Sequence, residues 1–131
     1  RHEFANDAAP FFRPGSAGAE IQAFVAPDAT EAVLTKSRAN SFYGTDLLRI
    51  LQEAKIESLT ICGAMSQMCI DATARAAADH GFDVTVAEDA CGAKEAEFNG
   101  VTLTAEQVHA AFMAPLAMSY ARVVTTDSLL S

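Results

Sequence analysis

The stretch LTICGAMSQMCIDATARAAADHG, residues 59–81, reads as a strand, a tight turn and a helix in direct succession. Residues 59–62 are a short apolar run with β-branched residues at its centre, and Gly63 ends it. From about Gln67 to His80 the chain is Ala-rich and free of Pro and Gly, which favours helix. Gly81 stands where a helix commonly closes on a left-handed glycine. Ser66 is the predicted N-cap, which places Cys69 at the third helical position.

The same alternation continues outward on both sides. Residues 32–35 (AVLT) are a predicted strand, residues 84–87 another, and residues 122–125 the last. Thr45 is the predicted cap of a helix from Asp46 to about Ala54, with Leu47, Leu48, Ile50, Leu51 and Ala54 on one face. Thr104 opens a further helix, with Gln107 completing a capping box and Val108, Ala111, Phe112 and Leu116 as its apolar stripe. Pro115 inside that helix predicts a kink near Ala111. Residues 91–100 read as a polar loop.

Short apolar strands spaced by helices imply an α/β domain: a Rossmann-like parallel sheet in a three-layer α/β/α arrangement. A single domain is expected over residues 1–131. Its first thirty residues fit poorly. Residues 1–19 carry Pro10, Phe11, Phe12, Pro14 and Gly15 but no strand, as in a loop leaving an earlier strand. A sheet opening at residue 32 would have four strands and no first βαβ unit, so the expectation is a domain lacking its N-terminal strand or strands. A complete four-stranded domain is the alternative.

Nine basic residues against seventeen acidic ones give a formal charge of -8, which disfavours nucleic acid or anionic lipid as partner. No apolar run is long enough to span a membrane, and no secretory leader is read. The three cysteines, Cys62, Cys69 and Cys91, lack the spacing of a zinc site or disulfide framework. A reducing cytoplasm is therefore the expected setting. His2, His80 and His109 are scattered, without metal-ligand spacing.

Two residues stand out chemically. Cys69 lies in the first turn of its helix, where orphan N–H groups and the positive end of the dipole stabilise a thiolate. The same donors could hold an oxyanion, as in the strand–turn–helix nucleophile elbows of other hydrolases, though no GxSxG is present. The plain alternative is a small buried residue packing helix on sheet. Lys36 follows AVLT directly, at the carboxyl end of a strand, the edge at which open α/β sheets hold their sites. It could equally extend into solvent, as exposed Lys55 is expected to do. Cys62 reads as core. Cys91 reads as core or loop packing, with a place beside the site as the alternative.

Taken together, Lys36, SFYGTDLLRIL (41–51), CGAMSQMCIDATARAAADHGFDVTVAEDAC (62–91), FNG (98–100) and VHAAFMAPL (108–116) resemble the isochorismatase-like cysteine hydrolases. The likeness covers nearly the whole chain, and its later part is similar to the streptothricin hydrolase-like, amide-cleaving members. The resemblance implies Cys69 as nucleophile and Lys36 as its catalytic lysine. It implies a third member, an Asp at the end of a first strand, that nothing here matches; Asp7, Asp28 and Asp46 all lack the context. It implies a non-proline cis peptide at Ala64–Met65, in a turn whose N–H groups, with that of Cys69, would face the oxyanion. A pocket is expected from Phe11, Phe12, Phe42, Tyr43, Met65 and Ser66. His2–Glu3–Phe4 does not reproduce the D–x–H of the metal-binding relatives, so neither metal nor cofactor is expected.

The expected reaction is cleavage of an amide or related C–N bond in a small molecule through a thioester, by a homo-oligomer of two or more subunits. These residues alone should be catalytically poor if the first strand is missing. The rival reading is a non-catalytic relative or fragment serving as a binding or structural module. A redox-sensing thiol is a third, weakened because no resolving cysteine is near in sequence. His109 and Phe112, on the capped helix, could rim the site or lie at a subunit interface.

Overall fold

The structure, a computed structural model, describes residues 1–6 and 8–131. After a loop region with short helical turns at Ala17–Ala19 and Ala23–Val25, the elements are α1 (Leu47–Glu53), β1 (Ser58–Ala64), a wide helical turn Ser66–Ile70 leading into α2 (Asp71–Asp79), and β2 (Asp83–Gly92). Then come β3 (Ala96–Phe98), β4 (Val101–Leu103), α3 (Ala105–Ser119), β5 (Arg122–Val124) and α4 (Asp127–Leu130). Strands β1, β2 and β5 form a parallel sheet in the order β1-β2-β5. This is the α/β architecture expected, a parallel sheet flanked by helices.

Side-chain alternation explains where the core lies. Leu59, Ile61, Val84, Val86 and Val123 share one face of the sheet and meet Ile70, Ala74, Ala77, Met113 and Leu116. Ala74 and Ala77 are fully buried, and their small size lets α2 lie close on the strands. On the opposite face Thr60, Cys62 and Arg122 are exposed. No helix among the described residues is long and apolar enough to cross a membrane.

Several helix signals hold. Gly81 takes φ 90°, with Phe82 N–H donating to the Ala77 carbonyl and Gly81 N–H to that of Ala78, a Schellman closure. Thr104 and Gln107 form both halves of the capping box. Helix α1 starts one residue later than predicted, with Asp46 rather than Thr45 at the cap position, though Thr45 Oγ1 accepts from Leu47 N–H. Helix α3 runs unbroken across Pro115, and its buried stripe is Val108, Met113 and Leu116, with Ala111 exposed.

Other expectations are corrected. Residues 32–35 form no ladder; the segment meets the N-terminal residues in a single parallel bridge, His2 to Lys36. Lys36 N–H donates to the Arg1 carbonyl and Glu3 N–H to that of Lys36, and the Arg1 amino group donates to the Leu34 carbonyl, so pairing is confined to the end of the segment. An apolar run favours extended backbone, but a strand needs a neighbour over several residues. Cys62 is exposed rather than core, because among the described residues β1 is an edge strand that pairs with β2 alone. Within residues 91–100 the chain is not simply loop. Strand β2 continues to Gly92, and β3 and β4 make an antiparallel hairpin around Asn99 (φ 52°) and Gly100 (φ 79°). Two positive φ values in sequence are what an Asn-Gly hairpin turn supplies.

Candidate active site

Cys69 lies in the wide turn that begins α2. Met65, extended at φ -101° and ψ 149°, is the residue before the helical turn, and its carbonyl accepts from Met68 N–H and Ile70 N–H. Ser66 is thus the first helical residue rather than the cap, and Cys69 is the fourth. The Ser66 hydroxyl is drawn away instead, to His109 Nδ1 at 2.9 Å and the Gly92 carbonyl at 3.3 Å. Cys69 still sits in the first turn, within reach of the positive end of the dipole. The Ala64–Met65 peptide is cis, at the position the resemblance implies.

Lys36 Nζ donates to Cys69 Sγ at 3.2 Å. It also donates to the Arg38 carbonyl at 2.7 Å and the Ala39 carbonyl at 2.9 Å. An ammonium has three hydrogens, which these acceptors share with His2 Nδ1 at 3.4 Å. The two carbonyls fix the head group, so the direction toward sulfur is built in. The loop carrying them is tied to α2 in turn, since Thr73 Oγ1 accepts from Ser41 N–H at 3.1 Å.

His2 is the residue that sequence reasoning missed. Its Nδ1 lies 3.4 Å from Lys36 Nζ and 3.9 Å from Cys69 Sγ. Burial, and then the Lys36 charge, push the His2 imidazole below its ordinary value of 6.5. A neutral ring whose Nδ1 faces a donor carries its proton on Nε2, and Nε2 is buried without a partner among the described residues. Nothing local marks His2. Its partners are 34 and 67 residues away, and the parallel bridge to Lys36 is what delivers it.

Two cavities open at the sulfur. One, of about 570 Å³, is walled by Phe4, Phe11, Phe12, Arg38, Met65 and Met68. The other, of about 580 Å³, runs along the open edge of β1 past Ile61, Gly63 and Ala64. Cys69, His2 and Phe12 belong to both. Phe11, Phe12 and Met65 of the expected pocket line the first cavity, and the Phe11 and Phe12 rings meet edge-on at 5.4 Å.

Three expected pocket residues lie elsewhere. Phe42 is core, 9% exposed and packed on His80 and Phe82. Tyr43 points to solvent at 63% exposure, because the turn that buries Phe42 turns its neighbour outward. Ser66 is wholly buried beneath the site. Asp28 and Asp46 are exposed, and Asp46 pairs with Arg49. Asp7 lies outside the described residues. Cys91 packs against the core, its thiol donating to the Ala87 carbonyl at 3.3 Å, and burial pushes its pKa up. Among the described residues no three His, Cys, Asp or Glu side chains cluster to hold a metal.

This geometry can be set beside known proteins. The Isochorismatase domain model matches residues 1–128. The chain belongs to the isochorismatase family. A crystal structure of a putative isochorismatase hydrolase from Oleispira antarctica superposes with a TM-score of 0.95 at 53% identity, covering 99% of this chain and 68% of that one. The isochorismatase family protein YddQ of Bacillus subtilis is 44% identical over 130 residues, 99% of this chain and 72% of its own length. Streptothricin hydrolase of Streptomyces noursei is 37% identical over 87 residues, 65% of this chain and 32% of that protein. Maleamate amidohydrolase of Pseudomonas putida is 32% identical over 92 residues, 68% of this chain and 43% of that protein. By family and fold this isochorismatase-family chain is that of a hydrolase.

Proposed function

We propose that the protein is a cysteine hydrolase that cleaves the amide C–N bond of a small molecule, with Cys69 as nucleophile and Lys36 as its cationic partner. The observation that carries this reading is the 3.2 Å contact between Lys36 Nζ and Cys69 Sγ, with the ammonium clamped by two carbonyls. A fixed ammonium beside a sulfur at a helix start is an arrangement in which a thiol serves as nucleophile. Kinship with relatives named as amidohydrolase and streptothricin hydrolase supports the choice of bond.

The substrate takes the cavity walled by Phe11, Phe12 and Met65, with Arg38 and Asn6 as its polar contacts. Thiolate attack forms a carbon–sulfur bond, and N–H groups of the turn at Met65 and of Cys69 hold the oxyanion. Collapse breaks the C–N bond, and the nitrogen takes the proton that the thiol gave up. Water then adds to the thioester, releasing the carboxylic acid and restoring the thiol. By resemblance the proton carrier is an aspartate that no residue of this chain matches. Within the chain, His2 Nδ1 is the base beside the sulfur.

The test is ammonia release from a panel of small primary amides, maleamate included. Wild-type protein should turn over at least one of them. Cys69→Ala and Cys69→Ser should abolish release while keeping the wild-type circular dichroism. Undiminished turnover in either variant removes the assignment.

A further inference from the structure

From a second cluster, on the far side of the turn from the cavities, we infer that His109 is a positioning residue. It acts through Ser66 on the turn that carries Cys69. The assignment rests on the reading of Cys69 as nucleophile.

Three elements meet at this cluster. Glu88 and Gly92 are on β2, Ser66 begins the helical turn before α2, and His109 is in α3. His109 Nε2 lies 3.3 Å from Glu88 Oε2, and a carboxylate only accepts, so Nε2 carries a hydrogen. His109 Nδ1 faces Ser66 Oγ at 2.9 Å, a hydrogen bond that can run in either direction. The Ser66 hydroxyl thus has two partners within reach, Nδ1 and the Gly92 carbonyl at 3.3 Å. Gly92 is the residue paired with Ala64 across the sheet. The chain Glu88–His109–Ser66 thus ends on the turn Ala64–Ser66 and its sheet neighbour.

Burial makes this chain consequential. Ser66 has no exposed surface, so its hydroxyl cannot turn to water if a partner is lost. Ser66 and Cys69 are three positions apart, within one turn of helix. A displaced Ser66 therefore moves the sulfur relative to Lys36, whose ammonium is held independently by Arg38 and Ala39. Among the described residues neither Ser66 nor His109 lines the cavities at Cys69, so substrate contact does not account for them. Glu88, Asp89, Cys91 and Glu106 surround the outer side of His109 in a shallow depression, and Glu88 alone of these bonds to it.

Two substitutions separate positioning from packing. The amide of His109→Asn sits where Nδ1 does and can still bond Ser66. His109→Gln reaches toward Glu88 and leaves Ser66 without its partner. The readout is the alkylation rate of Cys69 by iodoacetamide at neutral pH, with Cys62 and Cys91 changed to Ser and Ala in the background. His109→Asn is expected within about twofold of its parent, and His109→Gln and Ser66→Ala about fivefold slower, the factor that loss of one buried hydrogen bond represents. Equal rates in the Asn and Gln variants, or an undisturbed Ser66→Ala, overturn the assignment. Ammonia release is measured on the same proteins. If no amide is turned over by wild type while the alkylation pattern holds, the amidase reading fails and the positioning role stands.

Discussion

Removing the ammonium beside Cys69 should blunt the thiol strongly. Lys36→Met keeps most of the aliphatic stem and deletes the charge 3.2 Å from the sulfur. At that separation two unit charges attract by about 1.3 kcal/mol in bulk water and about 5 kcal/mol at an effective dielectric of 20. Both side chains are half-buried, so the effect lies between these limits and nearer the lower one. Even about 1.3 kcal/mol is nearly tenfold in an equilibrium, of which the higher nucleophilicity of a more basic sulfur returns roughly half on a logarithmic scale. Iodoacetamide alkylation of Cys69 at pH 7, followed by peptide mass, should therefore slow by about threefold or more in Lys36→Met. Lys55→Met, at an exposed residue past α1, is the control and should leave the rate unchanged. Raising salt should narrow the gap between wild type and variant, because a half-exposed pair is screened. Equal rates for wild type and Lys36→Met in low salt would refute the pairing.

Two further outcomes are expected. Because burial and Lys36 hold the His2 pKa below 6.5, the unfolded chain takes up a proton first as pH falls. Its contribution to stability is whole above about pH 6.5 and declines from there down to the lowered value; urea midpoints at pH 7.5 and 5.5 should show a smaller drop in His2→Asn than in wild type, and an identical drop would contradict the shift. Phe42→Ala should cost about 3 kcal/mol of unfolding free energy, since it empties a core site against His80 and Phe82, and should leave the alkylation rate of Cys69 unchanged; a normal urea midpoint with impaired substrate binding would return Phe42 to the pocket.

What could be read from sequence was what short-range chemistry specifies. Gly81 and the Thr104–Gln107 box are local devices, and both act as their residue types require. The strand, turn and helix around Cys69 follow from 23 consecutive residues. The meeting of Lys36 with Cys69 was legible through the family resemblance; in the structure the bridge to His2 and the Arg38 and Ala39 carbonyls place the ammonium. Properties that depend on distant neighbours were not legible. The run at residues 32–35 is apolar, but a ladder needs a partner that sequence does not display. Cys62 looks like core in a strand flanked on both sides, and among the described residues β1 is flanked on one. His2 reaches the sulfur from 67 residues away, and His109 reaches Ser66 from 43. The hairpin at residues 96–103 is different in kind. Asn99-Gly100 between Phe98 and Val101 is a strong turn signal, and the surrounding polar residues masked it.

Covalent trapping addresses the account at its root. The protein would be mixed with a turned-over amide, quenched in acid within a single turnover and weighed intact, then digested to locate any adduct. An acyl group on Cys69, absent in Cys69→Ala and less abundant in Lys36→Met, is the predicted result. Amide turnover by wild type with no acyl group on Cys69 at any quench time, and with Cys69→Ala equally active, would contradict it.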